Sequence, residues 1–139
     1  MNKIGILGSG WLGSALAEKA KKKGYVVRVT TTTKRKVKVL QNKGFHAQFL
    51  RFTKSTIEGE PDFFEDIDTM VITIPTGLRK NSKYNYVDLF EQIIEKAEFF
   101  KIQRVLFTSS TSVYGFQEGV ITELSDLLGD TPSAQQIID

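Results

Sequence analysis

Cysteine is absent from this chain of 139 residues, histidine occurs once, and apolar runs are short. The lack of cysteine excludes a disulfide framework, a thiolate metal ligand and a cysteine nucleophile. A histidine-rich metal site is excluded too, because His46 stands alone, and we predict no metal. No apolar run approaches the roughly 20 residues that span a bilayer. We therefore expect a cytoplasmic protein without a membrane partner.

The formal net charge is only +3, because 19 lysines and arginines nearly balance 16 aspartates and glutamates. The basic residues concentrate in two stretches, Lys19–Lys23 and Lys34–Lys38. A nucleic-acid-binding surface would need interleaved aromatic residues or a recognisable binding motif, and the sequence has neither. The first stretch is typical of the solvated last turn of a helix, where cations complement the helix dipole. We therefore expect no nucleic-acid partner.

Strand-like and helix-like patterns alternate along the chain. Helical spacing of apolar residues predicts helices over 12–20, 36–42 and 86–100, and Thr131-Pro132 opens a short fourth helix. This alternation predicts one α/β domain over residues 1–139, with a doubly wound parallel sheet of the Rossmann type in the order 3-2-1-4-5. Its five strands are predicted at Ile4–Leu7, Tyr25–Thr30, Phe45–Leu50, Thr69–Ile74 and Val105–Phe107.

The stretch from Arg51 to Asp68 interrupts this alternation. It is rich in charge and carries a glycine and a proline. We predict a connection on the surface, with one helical turn around Phe63 and Phe64.

Three glycines, Gly8, Gly10 and Gly13, follow the first predicted strand directly and precede an amphipathic helix. That context favours a dinucleotide-binding turn over a chance match. Gly8 would allow the tight turn, Gly10 the approach of the pyrophosphate, and Gly13 the close packing of helix on strand. The alternative is a βα turn without a ligand. The predicted cofactor contacts here are Gly8, Ser9, Gly10, Trp11, Leu12 and Gly13, with the Trp11 and Leu12 side chains serving mainly for packing.

The end of the second predicted strand lacks the acid that would bind the ribose hydroxyls of NAD. Instead, threonines continue into Lys34, Arg35 and Lys36. Cations suit the 2′-phosphate of NADP and are poorly placed at a helix N-terminus without such an anion. The sequence therefore favours NADP over NAD, with Thr31, Thr32, Lys34 and Arg35 as contacts. The alternative is that the cations are simply the exposed start of a helix.

Polar residues also follow the fourth and fifth predicted strands. Pro75-Thr76-Gly77 ends the fourth strand beside the first, where the cofactor would run, although a strand terminator alone would explain it. A run of hydroxyls from Thr108 to Ser112 ends the fifth strand at the same edge. We therefore add Pro75, Thr76 and Thr108 to the predicted cofactor contacts.

The hydroxyl run continues into Val113-Tyr114-Gly115. Together with the glycine turn, this Ser-Ser-x-x-Val-Tyr-Gly pattern resembles the extended short-chain dehydrogenase/reductase family, above all its nucleotide-sugar epimerase and dehydratase branch. The resemblance covers essentially the whole chain and the first half of a full-length member. It implies hydride transfer between a nicotinamide and a substrate carbon bearing a hydroxyl or carbonyl, a small-molecule substrate such as a nucleotide sugar, a separate substrate domain beyond this chain, and a possible homodimer. It also implies that Ser110 is the catalytic serine that orients the substrate oxygen.

Two features depart from that family pattern. The family's Tyr-x-x-x-Lys pair would fall near Gln135 and Asp139, and neither position holds the expected residue. The chain also reads Leu50-Arg51-Phe52 where many members place an acid near the adenine. A non-catalytic module that binds or senses NADP(H) is therefore the alternative function, and a β-hydroxyacid-dehydrogenase-like reductase is a third possibility.

Overall fold

The computed structural model describes residues 2–59, 61–76 and 85–139 of the chain. Gly77 and the polar loop that the sequence predicts after it, to about residue 83, lie outside these ranges.

A six-stranded sheet forms the centre of the molecule. Its strands lie in the order β4-β3-β2-β1-β5-β6, and every neighbouring pair is parallel except β3 and β4. The five parallel strands confirm the predicted Rossmann order, and β4 adds an antiparallel edge that the sequence analysis did not predict. The strands are β1 Lys3–Leu7, β2 Val26–Thr31, β3 His46–Phe52, β4 Ile57–Gly59, β5 Thr69–Ile72 and β6 Arg104–Phe107.

Four α-helices accompany the sheet within the described residues: α1 Trp11–Lys22, α2 Lys34–Asn42, α3 Tyr86–Phe99 and α4 Pro132–Ile138. Short 3₁₀ turns occupy Pro61–Phe64 and Thr111–Tyr114. The start of α3 is fixed by Asn85, whose side-chain oxygen accepts hydrogen bonds from the N–H groups of Val87 and Asp88 at 3.0 and 3.4 Å. All four helices confirm the predictions, α4 through the Thr131-Pro132 opening from which it was predicted.

The sheet separates two apolar clusters. One cluster, with Ile6 and Val29 at its centre, packs β1, β2 and β3 against α1 and α2. The other, with Leu7, Ile72 and Ile93, packs the opposite face against α3. Parallel sheets are normally covered on both faces in this way.

The prediction that the segment after β3 is only a surface connection is wrong for its aromatic residues. Phe63 and Phe64 have no exposed surface, and Ile67 is 4% exposed. The helical turn itself is confirmed, but it places both rings in the second cluster. Their rings meet edge to face with centroids 5.1 Å apart, so this charged stretch supplies part of the core.

The edge of the sheet that is formed by β6 is exposed. All four residues of β6 are exposed, including Leu106 at 51%, and β6 pairs only with β5 among the described strands. Within the described ranges, no helix combines the length and the apolar character needed to cross a membrane.

The buried ring of Phe64 gives a direct test of this fold. We expect Phe64→Ala to lower the free energy of unfolding by about 3–5 kcal/mol, because it removes a buried ring from a packed cluster. Phe116→Ala is the matched control, because Phe116 is 90% exposed, and its effect should stay within about 0.5 kcal/mol. Urea denaturation measures both. Similar effects of the two substitutions would contradict the burial of this segment.

Candidate functional site

The glycine turn lies between β1 and α1 and requires glycine at two of its three positions. Gly8 has a φ of 100°, a left-handed conformation that side chains disfavour. A Cβ on Gly13 would lie 2.0 Å from the carbonyl oxygen of Gly8, where no atom fits. The N-terminus of α1 can therefore sit directly on the end of β1 only because Gly13 has no side chain.

Gly10 differs from the other two glycines. Its φ is −68°, which any residue can adopt, and a Cβ placed there would meet no atom within 4 Å. Neither backbone conformation nor packing against the chain thus demands a glycine here. The free space over Gly10 is the room that a pyrophosphate needs to approach the backbone.

Hydroxyl groups from two neighbouring strands hold the turn in place. The Gly8 N–H donates to the hydroxyl of Thr30 in β2 at 3.0 Å. The hydroxyl of Thr73, just past β5, lies 3.0 Å from the carbonyl oxygens of both Leu7 and Gly8. Thr30 and Thr73 were not predicted as site residues, because their role depends on the strand register and on the direction of each side chain.

The N-terminus of α1 is free to bind an anion. Gly10 is its N-cap and provides no capping side chain, and the first turn contains no acidic residue. The N–H groups at a helix N-terminus carry partial positive charge and attract phosphate. The turn therefore fits the pyrophosphate of a dinucleotide.

A cleft of about 520 Å³ opens along the carboxyl ends of the strands beside this turn. It brings together six of the predicted cofactor contacts: Gly8, Ser9, Gly10, Thr31, Thr32 and Pro75. It also contains residues that the sequence analysis did not predict as contacts, among them Thr30, Thr33, Lys36, Arg51 and Thr73. Lys36 reaches back from α2 and its ammonium group donates to the carbonyl oxygen of Ser9, which links the cationic helix start to the glycine turn.

The other predicted contacts near the turn lie outside the wall of this cleft. Lys34 and Arg35 are exposed in the first turn of α2. Gly13 is buried beneath the turn. Trp11 is 89% exposed, so it does not pack against the described part of the chain as predicted, whereas Leu12 is 41% exposed and packs in part.

Hydroxyls after β5 and β6 lie further along the same sheet edge. The Thr76 hydroxyl is 2.5 Å from that of Ser133 in α4. Thr108 donates to the carbonyl oxygen of Ile72 at 3.0 Å, which anchors the end of β6 on β5. Ser110 is exposed, caps the second 3₁₀ turn and lies 2.9 Å from the Ser112 hydroxyl.

No group of three or more His, Asp or Glu side chains in the described part of the chain is placed to hold a metal ion. The chemistry that the cleft offers is instead that of hydroxyls, backbone N–H groups and cations. Such donors bind phosphates and sugar hydroxyls.

Comparison with known proteins agrees with this geometry. The sequence model of the NAD dependent epimerase/dehydratase family matches residues 5–134, which is nearly the whole chain. The chain belongs to this family. A curated relative, protein YeeZ of Escherichia coli strain K12, is 32% identical over 125 residues, covering 88% of this chain and 46% of YeeZ. The chain therefore spans about half the length of the curated relative that it matches.

Several solved structures share the fold of this chain. One is a mutant UDP-glucuronic acid 4-epimerase from Bacillus cereus in complex with UDP-4-deoxy-4-fluoro-glucuronic acid and NAD. It is 21% identical with a TM-score of 0.71, and the match covers 98% of this chain and 49% of the epimerase. A short-chain dehydrogenase/reductase superfamily protein from Agrobacterium tumefaciens with bound NAD is 17% identical with a TM-score of 0.74, over 99% of this chain and 42% of that protein. The epimerase fold is thus shared over almost the entire chain.

The different environments of Gly10 and Gly13 make a sharp prediction. Gly13→Ala should lower the free energy of unfolding by at least about 2 kcal/mol, because its Cβ meets a backbone carbonyl that cannot move aside. Gly10→Val should cost about 1 kcal/mol or less, because its side chain enters open space at a helix N-cap.

The same Gly10→Val protein should nevertheless lose dinucleotide binding, because the valine fills the space over the turn. Quenching of Trp11 fluorescence during titration with NADPH measures this, and thermal unfolding measures stability. A stable Gly10→Val protein that still binds NADPH as the wild type does would contradict the site.

Proposed function

We propose that this chain binds NADP(H), with the pyrophosphate on the glycine turn and the adenosine half along the ends of β2 and β3. The observation that carries the proposal is the unfilled space over Gly10 beside the uncapped N-terminus of α1. The predicted contacts Ser9, Thr31 and Thr32 line the same cleft. Dinucleotides bind at this place in doubly wound folds, where the strand order reverses.

The preference for NADP over NAD is supported by the charges around the adenosine end. The first turn of α2 contains no acid and carries Lys34, Arg35 and Lys36. Three cations at a helix N-terminus oppose the helix dipole, which an anion bound among them would relieve. The 2′-phosphate is the group that distinguishes NADP from NAD at this position.

The reaction that we propose is oxidation and reduction at a hydroxyl-bearing carbon of a nucleotide sugar or a similar small molecule. The nicotinamide, when bound, accepts and returns the hydride. Ser110 would donate a hydrogen bond to the substrate oxygen and orient it. This role of Ser110 is supported by the position of the residue at the carboxyl edge of the sheet and by the UDP-sugar ligand in the Bacillus cereus epimerase structure.

We also propose that a substrate-binding domain outside this chain completes the site. The exposed strand β6 supports this, because parallel strands are normally buried on both faces. A groove of about 780 Å³ between α3, α4 and Phe107 at the end of β6 is also open. Exposed apolar residues along this edge, such as Ile94 and Leu106, are typical of a surface that contacts further polypeptide.

The alternative function, a non-catalytic NADP(H)-binding module, is favoured by one observation. Gln135 and Asp139 stand where the family pattern implied by the sequence would place a tyrosine and a lysine, and they hydrogen-bond to each other at 2.7 Å. A glutamine amide does not act as a general acid or base, and the negative charge of an aspartate cannot replace the positive charge with which a lysine activates a tyrosine. Conversion of a UDP-sugar by the cofactor-loaded protein would favour the enzyme, whereas tight binding without turnover would favour the module.

The proposed preference is tested by comparing two cofactors. We expect NADPH to bind about tenfold or more tightly than NADH, because charge-assisted hydrogen bonds to the 2′-phosphate are lost with NADH. The Lys34→Gln, Arg35→Gln double variant should reduce this ratio. Lys38→Gln removes an exposed cation from the same helix and should leave it unchanged. Equal affinities of the wild type for NADPH and NADH would contradict the preference.

A further inference from the structure

Two cations from different elements, Lys34 and Arg51, lie over one aromatic ring, and Arg51 also lines the cleft. The Lys34 ammonium lies 5.4 Å from the centroid of the Phe49 ring, and the guanidinium carbon of Arg51 lies 5.7 Å from the same centroid. Lys34 belongs to the first turn of α2 and Arg51 to β3. Both positive charges therefore lie around one ring, and an anion that approaches this end of the cleft would be attracted by both of them.

Arg51 is held in place by an acid on the neighbouring strand. It lies opposite Glu58 in the antiparallel register of β3 and β4. Its Nε and Nη2 atoms donate to a single oxygen of Glu58 at 2.9 and 2.6 Å. The Nη1 atom donates no hydrogen bond to any residue that the structure describes. The guanidinium is therefore oriented and still has N–H groups to offer, and its side chain is 54% exposed.

Arg51 also occupies the right place along the strands. The last paired residues of β2 and β3 are Thr31 and Phe49, so Arg51 extends beyond the carboxyl end of β2. It lines the same cleft as Thr32, Thr33 and Lys36. A dinucleotide that starts on the glycine turn brings its adenosine ribose to the end of β2. Arg51 therefore lies beside the place that the 2′-phosphate would reach.

We propose that Arg51 selects the 2′-phosphate of NADP(H) and that Glu58 is its positioning residue. This inference rests on the proposed NADP(H)-binding function. A guanidinium presents planar N–H groups that match phosphate oxygens, and Lys34 adds a second positive charge over the same Phe49 ring. An exposed ion pair between two strands adds little to stability. The stability of the fold thus does not account for an arginine at this position.

Two nucleotides that each correspond to half of the cofactor show the contribution of the 2′-phosphate to binding. Adenosine 2′,5′-bisphosphate and AMP differ only in the 2′-phosphate, and calorimetric titration measures both without any turnover. The wild type should bind the bisphosphate more tightly. Arg51→Gln should weaken the bisphosphate by about tenfold or more and leave AMP almost unaffected.

Glu58→Gln breaks the same ion pair from the other side and separates two explanations. If Arg51 contacts the phosphate, Glu58→Gln should retain selectivity for the bisphosphate, because it removes a competing negative charge and keeps the guanidinium. If the pair acts only by joining β3 to β4, both variants should lose the bisphosphate alike. Arg51→Lys should restore part of the selectivity. Arg104→Gln, which removes an exposed strand arginine outside the cleft, should behave as the wild type.

The outcomes distinguish this inference from the function on which it rests. Wild-type protein that prefers the bisphosphate, with Arg51→Gln unchanged, would overturn the role of Arg51 and leave the NADP(H) proposal standing. Equal losses in Arg51→Gln and Glu58→Gln, or equal losses for the two nucleotides, would overturn it as well. Wild-type protein that binds neither nucleotide, or both alike, would overturn the inference and the cofactor preference together. Thermal unfolding of each variant shows that a loss of binding is not a loss of fold.

Discussion

The packing of α1 onto the end of β1 at Gly13 is the contact on which the rest of the site depends. Because no side chain separates Gly13 from the carbonyl of Gly8, the helix N-terminus comes to the carboxyl edge of the sheet with its N–H groups free. Thr30 and Thr73 then fix the turn from the strands on either side. The geometry proposed to bind phosphate is thus built by neighbouring strands.

Local patterns were sufficient to predict the helices and parallel strands, because each has an apolar periodicity that a short window of sequence shows. They were insufficient for the segment between β3 and β5. Strand β4 depends on pairing Ile57 with Phe52 and Glu58 with Arg51, which is a tertiary contact. Phe63 and Phe64 stand in a charged stretch, and only the position of that stretch under the sheet buries them.

The candidate site shows the same division between local and long-range information. Gly8, Gly10, Thr31 and Thr32 could be predicted, because the motif and its spacing from the first strand are local. Lys36, Arg51 and the two threonines that hold the turn line the cleft because of strand register and side-chain direction, which local patterns do not show. In the sequence Arg51 is a departure from a family pattern, whereas in the structure it is a cation that Glu58 holds beside the proposed adenosine end of the cleft.

The proposed binding of a dinucleotide pyrophosphate by the glycine turn can be followed in a ¹H–¹⁵N NMR titration of the assigned protein with NADPH. We expect the largest shifts at the amides of residues 8–13, with further shifts at residues 31–36 and at Arg51. Shifts centred on the groove between α3 and α4, or no shifts at the turn under saturating NADPH, would contradict it.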